Sequence, residues 1–70
     1  MNSPLVSPDV AIEMGYKEGT ELRRRLGAQP GQLEADIVTN GGMYRGLEFY
    51  EHWLMGFQAG HAGERKPPLP

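Results

Sequence analysis

The chain has 70 residues, 10 of them glycine, 6 proline and none cysteine, and its 7 basic and 9 acidic residues leave a net charge of -2. A chain of this length makes one domain at most and buries only about 60% of the surface its unfolded form exposes, so a second copy or a larger partner is expected to support it. The lack of cysteine excludes disulfides and thiolate metal sites, and the negative charge excludes a general electrostatic drive toward nucleic acid.

Residues 1–6, MNSPLV, lack a basic stretch followed by an apolar run, and no segment reaches the roughly 20 apolar residues that span a bilayer. They read as a loose N-terminal arm of a soluble, cytoplasmic protein with no membrane partner. Ser7-Pro8-Asp9 is a helix start, with a serine cap, a proline where its missing N–H costs nothing, and an acid in the first turn. From Pro8 to Leu26, residues Ala11, Ile12, Gly15, Tyr16, Gly19, Leu22 and Leu26 fall within one sector of about 140°. Gly27 ends this helix after Arg23-Arg24-Arg25, whose charge suits the negative end of the helix dipole.

Residues 28–42 are punctuated by Pro30-Gly31 and Asn40-Gly41-Gly42, with Leu33 and Ile37 one turn apart between them, so a short connecting helix is expected. The third segment runs from about Met43 to Ala62. Gly46, Phe49, Tyr50, Trp53, Leu54, Gly56, Phe57, Gly60 and His61 cover a sector of about 160° on it. The tail from Glu64 to Pro70, rich in proline, reads as flexible, and its Pro67-Pro68-Leu69-Pro70 has the PxxP form that SH3-type grooves accept. The fold class is therefore all-α: an antiparallel helical hairpin of two principal helices with a short connecting helix, residues 7–63 forming a single helical domain.

Each interior glycine costs a helix roughly 1 kcal/mol relative to alanine. Gly15, Gly19, Gly56 and Gly60 nonetheless lie on the apolar sectors beside Tyr16, Trp53 and Phe57. Small residues four apart make a groove that a second helix or an aromatic ring can enter closely, so these seven residues are the expected helix-packing set. The alternative is that they are tolerated glycines in a poor helix.

The two stretches read A-I-E-M-G-Y-K-E-G over residues 11–19 and H-W-L-M-G-F-Q-A-G over residues 52–60. Two helices that each carry G-[YFW]-x-x-G, the second introduced by W-x-x-G, resemble the ribosome modulation factor family and its small relatives, short bacterial proteins folded as a two-helix hairpin. The resemblance implies a non-enzymatic regulator that binds a larger protein or nucleoprotein assembly, with the ribosome as the family's known target. This chain is acidic where the ribosome binder is strongly basic, and phosphate neutralisation needs several cations. A second reading is thus a phage-type inhibitor that blocks a host enzyme or defence complex by protein contact.

Candidate sites are few. His52 and His61 are nine residues apart, about 180° around one helix, and cannot share a metal. Glu48 and His52, one turn apart, form a possible acid-base pair, though such pairs are ordinary helix-surface stabilisers. No supported nucleophile, phosphate loop or carboxylate cluster is present, so no catalytic residue, cofactor or metal is assigned and the chain is read as not an enzyme. Arg23, Arg24 and Arg25 are candidates for gripping phosphate or an acidic surface. Met14 and Met55 head the two repeat units on the side away from the hairpin core, and with Glu48 and Glu51 they complete the expected partner-binding set. A homodimer is the expected oligomer.

Overall fold

The computed structural model describes residues 4–27 and 29–69, and the regular structure among them is helical. Helix α1 spans Pro8–Leu26, α2 spans Leu33–Gly41 and α3 spans Tyr50–Ala62, with single 3-10 turns at Pro30–Gln32 and Gly42–Tyr44. The ends of α1 follow from its local sequence. The Ser7 hydroxyl accepts from the Val10 N–H at 3.2 Å, and Gly27 adopts φ 62°, a left-handed conformation from which its N–H donates to the Arg23 carbonyl.

The antiparallel hairpin is corrected by the contacts across the glycines: α1 and α3 run parallel. A Cβ placed on Gly15 would fall 2.0 Å from the Trp53 carbonyl oxygen and 2.8 Å from the Phe57 nitrogen. One placed on Gly19 would fall 2.4 Å from the Phe57 oxygen and 2.8 Å from the His61 nitrogen, so both helices advance together. In the same sense, Gly56 faces Ile12 and Tyr16, and Gly60 faces Tyr16 and Thr20. The reason is α2. Its Asp36 pairs with His61 in the last turn of α3, and its final residue, Gly41, lies against the Trp53 ring in the first turn. Helix α2 thus runs back along α3 and returns the chain to the level where α1 began. A tight connection forces antiparallel neighbours; a connector with its own return helix does not.

The third helix starts later than its apolar pattern suggests. Residues 45–49 form a turn in which Gly46 has φ 86° and Phe49 has φ 68°, and helix geometry begins only at Tyr50. Gly46 is consequently exposed and not on the buried sector. Leu26 is also outside the core, at 67% exposure, because it lies in the last turn of α1.

The core is built on α3. Trp53 and Phe57 are fully buried and stacked with ring centroids 4.7 Å apart, and Tyr44 closes over Trp53 at 5.3 Å. Leu5 belongs to the same cluster at 1% exposure, so this part of the expected loose arm is packed, while residues 1–3 lie outside the described residues. Leu5→Ala is expected to lower stability by about 2–5 kcal/mol, the usual loss for a buried leucine, measured as a fall in the urea midpoint. An unchanged midpoint would mean that the segment before α1 adds nothing to the core.

The chain beyond α3 is also held. Gly63, at φ 77°, turns it, and the Glu64 N–H donates back to the Ala59 carbonyl at 2.9 Å. The Tyr16 hydroxyl then donates to the Glu64 carbonyl at 2.7 Å, and the Lys66 ammonium pairs with Glu13. Residues 64–66 therefore lie along α1 instead of hanging free, while Pro70 of the PxxP stretch lies outside the described residues.

Candidate functional site

The four repeat glycines lie in the seam between α1 and α3, with Trp53 and Phe57 buried beside them and Tyr16 half-buried. The two halves of the seam mirror each other. A Cβ placed on Gly15 would lie at the same distances from Trp53 and Phe57, 2.0 and 2.8 Å, as one placed on Gly56 from Ile12 and Tyr16. An internal pseudo-two-fold axis along the helix pair therefore relates the repeat units. At each glycine the α-carbon hydrogen takes the place of a side chain and points at backbone of the opposite helix, the arrangement of weak Cα–H···O contacts worth about 0.5–1 kcal/mol each. The repeat is thus a structural device that consumes its own surface.

The same axis places Met14 and Met55 on opposite flanks of the pair, so they do not form one patch. Both are half-buried, and Met14 packs against the core cluster. Their expected exposure on a partner-facing side is corrected accordingly.

The arginines divide. Arg23 donates from Nη1 to the His61 carbonyl oxygen at 3.3 Å and closes the C-terminal end of α3, whose last carbonyls lack helical donors. Arg24 makes a two-pronged bond to Glu21, at 2.7 Å at its closest, and holds that carboxyl below its ordinary range. Arg25 is exposed and has no ion pair among the described residues. Glu48 lies in the turn before α3, so the helical spacing that would join it to His52 does not exist. Glu48 and Glu51 are both exposed. His52 sits edge-on to Phe49, with ring centroids 6.0 Å apart, and its Nδ1 is buried without a hydrogen-bond partner among the described residues.

Two buried polar pairs escaped the sequence reading. His61, only 3% exposed, meets Asp36 through Nε2 at 2.7 Å. The buried Trp53 indole donates to the Glu18 carboxylate, also at 2.7 Å. Partial burial holds that carboxyl above its ordinary range, with the Trp53 hydrogen bond opposing. Both pairs join different helices, and no spacing along one helix could have revealed them. Among the described residues no group of three potential ligands could hold a metal ion, and no helix is long and apolar enough to cross a membrane.

The two most exposed large apolar side chains among the described residues belong to α2 and the turn after it, with Val6 and Leu26 next at 67% each. Val38 and Met43 are 71% and 77% exposed. Beside them runs a shallow groove lined by Glu34, Ile37, Val38, Gly42, Arg45 and Tyr50. Nothing in the spacing along α2 distinguishes Val38 from Ile37, since successive residues share a buried face elsewhere in the chain, as Ala11 and Ile12 do. Comparison with models of known families, with curated proteins and with solved structures returned no match to this chain. What the fold defines is a small three-helix protein organised on a parallel, glycine-seamed helix pair.

Proposed function

We propose that the chain is a cytoplasmic, non-enzymatic regulatory protein that binds a larger macromolecular assembly and inhibits or modulates it through protein-surface contacts. The observation that carries the reading is how the charges are engaged. All three consecutive arginines are exposed, but Arg23 and Arg24 are already hydrogen-bonded within the chain. Glu48 and Glu51, on either side of the α3 start, are by contrast exposed and form no ion pair among the described residues. Such a surface suits electrostatic complementarity with a basic protein patch better than phosphate neutralisation. The resemblance of the repeat to the ribosome modulation factor family supplies the regulatory sense. The acids favour the second reading, an inhibitor of the phage type that occupies a site on a host enzyme or defence complex.

The test is capture of partners from bacterial lysate by the tagged chain, with the captured species quantified by mass spectrometry across a salt series. Glu48→Ala with Glu51→Ala should reduce capture of the dominant species severalfold, while Arg24→Gln with Arg25→Gln leaves it nearly unchanged. Arg23 is left alone because it closes the end of α3. Capture of ribosomal particles with a steep salt dependence that flattens in the arginine variant would overturn the reading and return the protein to the nucleic-acid-binding class.

A further inference from the structure

We infer that the outer face of α2 takes a second copy of this chain across a two-fold axis, with Val38 near the axis and Glu34 of each copy facing Arg45 of the other. This goes beyond the regulatory reading above and does not rest on it. The first ground is the unpartnered apolar surface. Helix α2 turns Leu33 and Ile37 partly into the core and leaves Val38 and, at the following turn, Met43 almost fully in water, flanked by half-buried Tyr50. Among the described residues these are the two most exposed of the large hydrophobic side chains.

The second ground is the charge pattern at the rim. Glu34 and Arg45 both line this groove, are exposed, and form no ion pair with each other or with another described residue. A surface bearing one acid and one base at opposite ends of an apolar strip is complementary to itself. A two-fold interface pairs residue i with j and j with i, so both ion pairs form at once. Two α2 helices crossing antiparallel at Val38 bring Glu34 opposite the partner's Gly42, one short turn from the partner's Arg45. The glycine seam cannot serve this purpose, because it is already filled by the α1 and α3 pairing within the chain.

The test is sedimentation equilibrium over a wide concentration range, with the near-UV circular dichroism of Trp53 as the control for folding. The wild-type chain should self-associate, and Val38→Asp should shift it to monomer. Glu34→Arg and Arg45→Glu should each weaken association by about tenfold or more, because each turns two attractive pairs into two repulsive ones. An equimolar mixture of the two should associate again, since the mixed dimer regains two opposite-charge pairs. The double reversal should also recover. Met43→Ser serves in place of Val38→Asp if that variant loses the Trp53 signal. A wild-type chain that stays monomeric up to about 1 mM would overturn the proposal and leave the face to a different protein. So would a dimer indifferent to these changes, or charge variants that fail to complement each other.

Discussion

Gly56→Ala is expected to destabilise the chain severely, although alanine is the better helix former. The gain in helix propensity is about 1 kcal/mol. Against it, the new methyl would sit 2.0 Å from the Ile12 carbonyl oxygen and 2.8 Å from the Tyr16 nitrogen, and both are backbone atoms of a helix that cannot swing aside as a flexible side chain would. Relief requires α1 and α3 to separate along the seam, which loosens the packing around Trp53 and Phe57. Overpacking costs about 1–3 kcal/mol and sometimes more, and a core this small supplies only about 3–5 kcal/mol in total. The expected result is a net loss of about 2 kcal/mol, the upper end of the overpacking cost less the propensity gain, and collapse of the near-UV signal of Trp53. By the mirror relation Gly15→Ala should behave alike. Gly42→Ala is the control: its φ of -59° suits alanine and nothing lies within 4 Å of the added carbon. Should Gly56→Ala melt at or above the wild-type temperature, the close parallel approach of the two helices is wrong.

Glu18→Ala is expected to lower stability by about 1–3 kcal/mol, because it leaves the buried indole N–H of Trp53 without an acceptor. In a domain of this size that corresponds to roughly 4–8 °C in melting temperature per kcal/mol. Glu18→Gln keeps a carbonyl acceptor and removes the charge, so it separates the hydrogen bond from the ionisation. Burial raises the folded-state pKa of Glu18 above its ordinary value of 4.5. For an acid shifted upward, the linked stability is fully present below the unfolded value and is lost as pH rises through the folded value. The wild type should therefore lose ground to Glu18→Gln as pH rises from below the ordinary value of 4.5 to above the raised folded-state value, which is the window of the test. Glu13 and Glu21 shift downward through Lys66 and Arg24, but they are common to both proteins and cancel in the difference. Urea melts of the two proteins at both ends of the window check this, and parallel pH curves would mean that Glu18 is not held in a partly desolvated position.

How much of this was legible in the chain itself follows from the range of the forces involved. Ser7 and Pro8 start α1 and Gly27 stops it because capping acts over three or four residues, and the sequence contains every participant. The matched glycines announce a close approach of two helices, since nothing else offsets their conformational cost on an apolar face. They do not announce its direction. That depends on the path of residues 27–49, and only the return of α2 along α3 makes the pair parallel. The delayed start of α3 likewise follows from a turn with two left-handed residues, one of them Phe49, a conformation that an aromatic side chain adopts only when surrounding packing imposes it.

The candidate surfaces divide on the same line. Composition alone established a small, cysteine-free, acidic chain, because those properties are sums over residues and do not depend on conformation. Which side chains are left on the surface is decided by tertiary structure. Met14 and Met55 turn partly inward because the seam sets the rotation of α1 and α3. Arg23 and Arg24 are taken up by the His61 carbonyl and by Glu21, and Val38 and Met43 are left outside because Leu33 and Ile37 claim the inward side of α2. Exposure is a property of what lies on top of a residue, and along the seam of this chain the covering helix comes from a distant part of the sequence.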